Sequence, residues 1–511
     1  MKKNLILLFF FSSLLLGFDF SHLFKKPNSH LKVVCDEDKE KIYLDNKFKT
    51  TCNEGDEISL TMYEGEHTLV VKTEPSKDYS YYYFETKFKI GDGVEKTIKV
   101  DAKKFYTKQF FVKNAKKSIA YKFLYLEQYP NDTLSQKIKK ELQGTWQKTF
   151  AKNIIPVKII SANNGFIILG TFINKDKDGK KYLVVYKINK NGNLLWQKNF
   201  KTKNDTFAKA IYKTKNDNYL IIGETKDYNN IYSIYLLKIN KNGNKVWEKI
   251  INTNYKKSKY NNYGSLRYSM KTKDGNILII FKNENYRTKI NKINSTNGKI
   301  LWSYKARFKN PYDIKEIKDK DYLMINDYSI LEVNYNKPIH KKIYGKTYTI
   351  YKVWEKPIKV ESKYGDKLIT YFIINNNEFV RLNQSENQFI SLAEITKFDK
   401  NSQILWKKTI EVPENMETGI FYKPEITSYA KAKDAILFSA STSLFKSYEP
   451  YLFKIDNNGN IVWESMLCIN HACRINSILP LRNGVIISGT KDNKLWVMRV
   501  DKNLLDKFVE K

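Results

Sequence analysis

A block of about a dozen residues recurs along this chain, and it restricts the fold more than any other feature. Each copy joins a lysine, an apolar residue and Asn or Asp to a turn and then to a tryptophan, as in KINKNGNLLW at 187–196 and KINKNGNKVW at 238–247. Three further copies are KINSTNGKILW, KFDKNSQILW and KIDNNGNIVW, and in the second of these Ser402 replaces the glycine. Self-similarity at this spacing indicates an architecture built from one repeated supersecondary unit.

Each copy has the pattern of a β-hairpin. One strand ends at Ile188, Asn191-Gly192 supplies the positive φ of a tight turn, and a second strand carries Trp196. Upstream lies a wholly apolar strand, such as FIILG at 166–170, which must be buried on both faces. Four strands in roughly 50 residues, with a buried inner strand, predict one blade of a β-propeller.

The apolar strands predict seven blades. The fourth blade is irregular: no tryptophan stands at the expected place, and Trp354 comes too late in the sequence. Either the sequence of one strand there departs from the repeat, or the predicted boundary of the blade is misplaced. The seven apolar segments are 166–169, 219–222, 277–280, 322–325, 368–374, 435–438 and 485–487.

The two ends of the repeat region complete each other. GTWQKTF at 144–150 is an outer strand with no blade before it, and the last blade lacks an outer strand after Trp496. Because exposed sheet edges are avoided, we predict an all-β fold in which residues 144–511 form a seven-bladed β-propeller closed by this N-terminal strand. The repeated tryptophans are predicted to pack between neighbouring blades: Trp146, Trp196, Trp247, Trp302, Trp406 and Trp463.

Residues 31–100 are predicted to form a separate module of strands. Hairpins centre on Asp45-Asn46 and on Glu64-Gly65. On Tyr43-Leu44-Asp45 and the segment 64–68, this module resembles the PEGA domain, a small β-sandwich of bacterial surface proteins, although Glu64 stands where that family has proline. The resemblance implies a packing or hydrogen-bonding role for His67. Residues 101–143 are predicted as a connector with a short helix near 133–142.

On KINSTNGKILWSY, the region 144–511 resembles the repeat of pyrroloquinoline-quinone-type propellers. That superfamily includes quinone-dependent dehydrogenases and a propeller lipoprotein of the outer-membrane assembly machine. The dehydrogenases require an adjacent Cys-Cys pair and a calcium site of Glu, Asn and Asp. This chain has no Cys-Cys pair, so we predict no cofactor.

The formal net charge of +35 raises the question of nucleic-acid binding. Only seven of the 89 basic residues are arginine, whereas phosphate and base recognition usually draws on the arginine fork. We therefore predict a solvated lysine surface and no nucleic-acid partner. Association with an anionic membrane surface stays open as an alternative.

Export is indicated by both the N-terminus and the cysteines. Residues 1–24 have a charged start and an apolar run from Leu5 to Phe18, which predicts a signal peptide, with an uncleaved anchor as the alternative. In an oxidising compartment the cysteines would pair with their nearest neighbours, as Cys35–Cys52 and Cys468–Cys473. A metal site formed by His471 and the second pair lacks a fourth ligand. We expect the periplasm or the cell surface.

No catalytic, cofactor-binding or metal-binding residues are predicted, because no nucleophile motif accompanies the few histidines. The leading hypothesis is a monomeric, non-enzymatic envelope protein that binds a protein or glycan. Its contacts would come from the long loops 251–270, 375–390 and 409–433, above all the Tyr- and Asn-rich segment 254–268. The alternatives are a propeller enzyme, either a quinone-dependent dehydrogenase or a hydrolase, and a scaffold for outer-membrane protein assembly.

Overall fold

The computed structural model divides the chain into two compact units, Met1–Lys116 and Lys117–Lys511. No helix of the described residues is both long and apolar enough to span a bilayer. The predicted leader, residues 1–24, lies outside the described residues. The structure describes residues 26–506 apart from 115–117, 175–178, 257–264, 284–287, 307–310, 319–320, 327–328, 344–345, 359–366, 387–390, 412–424 and 445–446.

The first unit contains a three-stranded sheet, in the order β4-β1-β7, and a five-stranded sheet, in the order β3-β2-β5-β6-β8. Strand β1 pairs antiparallel with β4 and parallel with β7. Both sheets contribute to one core, with Leu31 and Val33 from the first and Ile42, Leu69 and Val71 from the second. The elements are β1 (Ser29–Val34), β2 (Glu40–Leu44), β3 (Lys47–Cys52), β4 (Glu57–Met62), β5 (Gly65–Lys72), β6 (Ser80–Ile90), β7 (Glu95–Lys99), β8 (Lys103–Tyr106) and helix α1 (Lys108–Asn114).

The segment predicted as a connector, 101–143, is shared between the units and is more helical than expected. Strand β8 and helix α1 belong to the first unit, while α2 (Ile119–Gln128) and α3 (Thr133–Glu141) belong to the second. Helix α3 is the one that the sequence indicated, and its N-cap is Asp132, whose side chain accepts a hydrogen bond from the Leu134 N–H. Helix α2 begins at the N-cap Ser118.

The second unit contains seven sheets of four antiparallel strands. Six of them consist of four strands that are consecutive in the chain, and we number these sheets 1 to 6; sheet 7 combines the last three strands with β9. A short 3-10 turn, Lys215–Asp217, precedes β15, and helix α4 (Lys502–Leu505) follows the last strand. The strands are β9 (Trp146–Lys152); sheet 1, β10 (Ile154–Ala162), β11 (Gly165–Ile173), β12 (Lys181–Asn189), β13 (Leu194–Phe200); sheet 2, β14 (Asp205–Lys213), β15 (Tyr219–Lys226), β16 (Ile231–Ile239), β17 (Lys245–Lys256); sheet 3, β18 (Leu266–Lys271), β19 (Ile277–Lys282), β20 (Thr288–Ile293), β21 (Ile300–Ala306); sheet 4, β22 (Asp313–Lys318), β23 (Asp321–Ile325), β24 (Ser329–Ile343), β25 (Lys346–Pro357); sheet 5, β26 (Lys367–Ile373), β27 (Glu378–Glu386), β28 (Ser391–Asp399), β29 (Ile404–Glu411); sheet 6, β30 (Glu425–Lys431), β31 (Ala435–Leu444), β32 (Ser447–Asp456), β33 (Ile461–Met466); sheet 7, β34 (Cys473–Leu481), β35 (Gly484–Lys491), β36 (Lys494–Asp501).

Successive sheets pack against one another, as the blades of a β-propeller do. One apolar cluster fills each junction from sheet 1 to sheet 6, and strands of sheet 6 contact β34 of sheet 7. A further cluster joins sheet 7 to sheet 1 through Ile486, Val497, Ile159 and Ile168. The predicted pairing of the N-terminal strand is confirmed, because β9 pairs with β36 and Trp146 lies opposite Arg499.

The register of sheet 4 explains its irregular sequence. In sheet 2 the backbone of Trp247 lies opposite Lys238, and in sheet 4 that of Trp354 lies opposite Glu332, at the equivalent place. The hairpin of β24 and β25 is simply longer and continues to the pair Ile343–Lys346. A second boundary was also misplaced: the predicted apolar strand 368–374 is the first strand of sheet 5, and the strand equivalent to the other six is β27.

Candidate functional site: repeat turns and outer strands

The repeated turns are held by an asparagine or aspartate side chain at their first position. The Oδ1 atom of Asn189 accepts hydrogen bonds from the backbone N–H groups of Asn191 and Asn193, both at 2.9 Å. Asn240 and Asp456 do the same in their turns. This is the local reason that the motif places Asn or Asp two residues after its lysine.

The glycine of each turn provides a docking place for the indole of the preceding sheet. A Cβ atom added at Gly192 would lie 2.6 Å from the Trp146 ring, and one at Gly298 would lie 2.8 Å from the Trp247 ring. The indole N–H of Trp247 also donates to the Thr296 carbonyl at 2.7 Å. These tryptophan rings therefore lie against the turn of the neighbouring sheet. Equivalent glycine contacts are made by Trp196 with Gly243 and by Trp406 with Gly459.

The lysine of the motif reaches the same turn of the next sheet. The Lys238 ammonium is buried and donates to the Ser295 carbonyl at 2.7 Å. At the junction of sheets 4 and 5 the charges are exchanged: Glu332 occupies the lysine position, and Lys400 of the next turn lies 3.6 Å from it. Lysine, tryptophan and glycine therefore form one contact between neighbouring sheets.

An aliphatic residue lies in a β-bulge immediately before each of five tryptophans. Lys187 lies opposite Trp196 while Ile188 lies opposite Leu194, so Leu195 has no partner in the strand pairing. A bulge turns its extra side chain away from the regular pleat. Four of the five bulged residues are 47% to 52% exposed: Leu195, Val246, Leu301 and Leu405.

These residues were missed in the sequence analysis, although the signal was in the repeat. The residue before tryptophan is Leu, Val, Leu, Leu and Val in the five copies. If this position were simply solvated, polar residues would be expected in some of the copies. The preceding residue is also exposed and apolar in three copies, at Leu194, Ile300 and Ile404. Exposed lysines lie close to these residues in the chain: Lys299 directly precedes Ile300, Lys245 directly precedes Val246, and Lys190 lies in the turn before Leu194. We call Leu194–Leu195, Ile300–Leu301 and Ile404–Leu405 the outer apolar pairs.

The fifth copy, on β33 of sheet 6, is covered by the chain itself. Helices α2 and α4 both contact β33, and the backbone N–H of Ile119 donates to the Ser465 hydroxyl at 3.1 Å. Ile461 and Val462 are half-buried here, and Trp463 is only 4% exposed. Helix α2 thus meets β33 at Ser465, and the bulge residue Val462 is less exposed than the bulge residues of the other four strands.

Helix α2 is also held by charged groups at its C-terminal end. The Glu127 carboxylate lies 3.2 Å from the Lys491 ammonium and 3.5 Å from His471 Nε2, and His471 Nδ1 lies 2.6 Å from Asp492. Desolvation raises the pKa of Glu127, but the hydrogen bond from His471 and the charge of Lys491 outweigh it, so this pKa lies below its usual value.

Both predicted cysteine pairs are disulfides, Cys35–Cys52 and Cys468–Cys473. Among the described residues, the single group of three metal-ligating side chains that lie close together is Cys35, Glu40 and Cys52. Sulfurs joined in a disulfide offer no thiolate to a metal, so this group is not a metal site in the oxidised protein. His471 contacts the carboxylates of Glu127 and Asp492.

Glu40 forms a buried carboxyl pair with Asp36. One oxygen of each, Asp36 Oδ1 and Glu40 Oε1, is buried without a hydrogen-bond partner, and burial together with the charge of Asp36 raises the pKa of Glu40 to about 7. A proton on Glu40 satisfies both oxygens through one shared hydrogen bond. The pair is thus a structural, proton-dependent contact of the first unit.

The first strands of sheets 2 to 5 are linked by polar side chains. The Tyr212 hydroxyl lies 2.8 Å from the Ser269 hydroxyl, and the Tyr268 hydroxyl donates to Asp313 at 3.0 Å. Asp313 also accepts from the Ile373 N–H at 2.8 Å. Burial raises the pKa of Asp313 despite these hydrogen bonds. Both oxygens of the Asp313 carboxylate thus accept hydrogen bonds. Asp313 therefore links sheet 4 to sheets 3 and 5.

Two other predictions concern single residues and loops. His67 contacts Asp45 Oδ2 at 2.7 Å and the Tyr63 carbonyl at 2.9 Å, which agrees with a hydrogen-bonding role.

The predicted contact segment 254–268 lies largely outside the described residues, as do parts of the loops 375–390 and 409–433. The contact surface predicted from those loops stays a prediction.

No family model matches the chain, and no curated protein matches it. Among solved structures, the chain is similar to Drosophila Plexin A in complex with Semaphorin 1b, with 8% identity, coverage of 70% of this chain and 86% of that chain, and a TM-score of 0.41. It is also similar to YCF48 bound to D1 peptide, with 9% identity, coverage of 70% and 97%, and a TM-score of 0.39. A third is the β-propeller domain of the Trilobed protease from Pyrococcus furiosus, with 10% identity, coverage of 68% and 96%, and a TM-score of 0.36. Values this low carry no argument about function.

Proposed function

We propose that this chain is an exported, non-enzymatic binding protein of the cell envelope. The seven sheets of the second unit are the blades of one propeller that β9 closes, and the two sheets of the first unit form a small sandwich of the PEGA type. The propeller is a rigid, monomeric frame for contacts with an envelope protein or glycan.

One observation carries this proposal: the outer apolar pairs of sheets 1, 3 and 5 recur in the repeat and are exposed at equivalent places. Repeated, exposed aliphatic residues with flanking lysines favour an interaction surface over a solvated one. Two disulfides in the described residues support an oxidising compartment. The polar side chains on the first strands hydrogen-bond to one another rather than converging on an open site.

Site-specific photocrosslinking in the envelope tests the proposal. A photoreactive amino acid at Leu195, Leu301 or Leu405 is expected to trap an envelope component, whereas the same group at Tyr228, which is 91% exposed outside the outer strands, is expected to trap none. Metal and quinone analysis of the purified chain is the second arm. A stoichiometric cofactor, or identical crosslinks at all four positions, would overturn the proposal in favour of the enzymatic alternative or of no specific surface.

A further inference from the structure

One sheet of the first unit has an outer face formed by aromatic side chains. Successive residues of a strand lie on opposite faces of a sheet, and Ile42, Leu69 and Val71 of the five-stranded sheet lie in the core. Their neighbours along the strands, and the residues that pair with these neighbours, therefore lie on the outer face. Five aromatic residues of β2, β3, β6 and β8 occupy such positions, and we call them the aromatic face: Tyr43, Phe48, Tyr81, Tyr83 and Phe105.

The rings of the aromatic face contact one another on the outside of the sheet. The ring centroids of Tyr43 and Phe48 are 5.7 Å apart, and those of Tyr83 and Phe105 are 5.3 Å apart. Phe48 is 55% exposed, and the other four residues are half-buried. An aromatic cluster that stays in contact with solvent indicates a binding surface.

Lysines surround these rings. The Lys72 ammonium lies 4.9 Å from the centroid of the Tyr43 ring, and Lys103 lies opposite Tyr83 in the strand pairing. Lys87 is exposed and lies on the same face of β6 as Tyr83. The outer positions of these strands therefore carry more positive than negative charge, with the lysines Lys41, Lys72, Lys87, Lys89 and Lys103 and the glutamates Glu66 and Glu85.

The three-stranded sheet, which shares the same core, has a different outer face. Lys32 lies between two core residues of β1 and so belongs to this outer face. It lies opposite Ser59 of β4 and Thr97 of β7. In the described strands of this sheet, no outer position holds Phe, Tyr or Trp: these positions are His30, Lys32, Val34, Glu57, Ser59, Thr61, Glu95, Thr97 and Lys99. The exposed aromatic residues are thus concentrated on one of the two sheets.

The place of the first unit in the chain indicates what the aromatic face meets. The apolar run of the predicted leader ends at Phe18 and β1 begins at Ser29, and a stretch of this length spans at most about 40 Å. While the leader is in a bilayer, the first unit is therefore held at the membrane surface. Tyrosine rings are enriched at membrane interfaces, and lysines are attracted to anionic head groups. A face that combines both kinds of side chain matches an anionic lipid surface.

We propose that the aromatic face is a docking surface for an anionic membrane. Phe48 and the tyrosine rings enter the boundary between head groups and acyl chains, and the surrounding ammonium groups contact lipid phosphates. This surface is separate from the outer apolar pairs and does not depend on the function proposed for them. An anionic glycan and a second copy of the chain are the competing occupants.

Hydroxyl-radical footprinting of the purified full chain tests this docking surface. Residues 1–24 can enter a vesicle by themselves, so the measured quantity is the oxidation of Phe48 and Tyr43 and not binding alone. Phosphatidylglycerol vesicles are expected to lower this oxidation at least fivefold, and phosphatidylcholine vesicles are expected to leave it unchanged. Oxidation of Tyr228, which is 91% exposed in the second unit, is expected to stay the same with both lipids.

Two variants with the same change in net charge locate the surface. Lys87→Glu combined with Lys103→Glu reverses two charges beside the aromatic rings and is expected to abolish most of the protection by phosphatidylglycerol. Lys32→Glu combined with Lys99→Glu reverses two charges on the three-stranded sheet and is expected to retain the protection. Near-ultraviolet circular dichroism verifies that both variants are folded.

Any of several results would overturn the docking surface. These are unchanged oxidation of Phe48 with phosphatidylglycerol vesicles, equal protection by the two lipids, and equal protection in the two variants. Protection without vesicles that increases with protein concentration would assign the face to a second copy, and protection by heparin without protection by vesicles would assign it to an anionic glycan. Crosslinks from Leu195 to an envelope component that persist in any of these cases would leave the binding function standing.

Discussion

Strands β29 and β33 have the same repeat sequence pattern and different surroundings. Both have a bulged aliphatic residue before the tryptophan, Leu405 in one and Val462 in the other. The indole of Trp406 packs on Gly459 of the next turn, whereas at the end of sheet 7 the corresponding place is taken by α4, which contacts β33. The repeat thus determines the strand and its bulge, whereas the exposure of the bulged residue depends on what surrounds the strand.

The largest expected effect on the free energy of unfolding comes from disrupting the packing of helix α2. Ile119→Asp places a charge at a fully buried position of α2 and is expected to lower the free energy of unfolding by about 4 kcal/mol, from lost burial and an unpaired charge. Chemical denaturation measures it. Lys137→Asp on the exposed side of α3 is the control, with an expected change below about 0.5 kcal/mol. Equal effects would mean that α2 does not stabilise the sheet beneath it.

A somewhat smaller loss of stability is expected where the indole of an outer strand packs on the turn glycine of the next sheet. Gly298→Ala requires a Cβ 2.8 Å from the Trp247 ring at a φ of +70°, and we expect a loss of about 3 kcal/mol. Gly275→Ala in the same sheet has a φ of +85° but no atom within 4 Å of the added Cβ, so only the backbone cost of about 1 kcal/mol is expected. The difference in the free energy of unfolding between the two variants measures the steric cost of the contact with the Trp247 indole. Equal losses would show that the indole adjusts without cost.

Equivalent substitutions in the two strands compare the surfaces directly. Val462→Ser, at the half-buried bulge of β33, is expected to cost about 1 kcal/mol because it replaces a partly buried apolar side chain with a polar one. Leu405→Ser, at the exposed bulge of β29, is expected to change stability by less than about 0.5 kcal/mol. Thermal unfolding of the two variants side by side provides the test. A larger loss for Leu405→Ser would assign the exposed pairs a role in folding rather than in binding.

The smallest effect concerns the charge at the end of α2. Glu127 is partly exposed, so Glu127→Gln is expected to cost about 0.5 kcal/mol at neutral pH. Since the folded state lowers the pKa of Glu127, this contribution is present above the unfolded pKa of about 4.3 and is lost as the pH falls through the lower, folded value. The stability difference between the variant and the unchanged chain should therefore shrink as the pH falls below about 4.3 and vanish once Glu127 is protonated in the folded protein. A difference that persists there would assign the effect to packing.

The propeller units could be predicted because their determinants are local. An Asx turn, a positive φ at glycine and a tryptophan shortly after it are all contained within one hairpin, so the hairpins and the pairing of β9 with β36 followed from the pattern. The prediction that Trp354 comes too late in the sequence to be the tryptophan of its blade was wrong. The longer hairpin of β24 and β25 changes the spacing along the chain without changing the register of the strands. The outer apolar pairs were missed because exposure depends on a bulge and on neighbours, which strand alternation does not report.

By itself the sequence determined the repeat, the turns, the cysteine pairs and the apolar strands, because each depends on the conformational preferences of nearby residues or on spacing along the chain. Only the tertiary structure decided which tryptophan meets which glycine, that the motif lysine meets the next turn's carbonyl groups, and which outer strand is covered. These contacts join residues of different sheets, so they exist only after the sheets have packed. For that reason the bulged aliphatic residue is half-buried at Val462 of β33 and 47% exposed at Leu405 of β29.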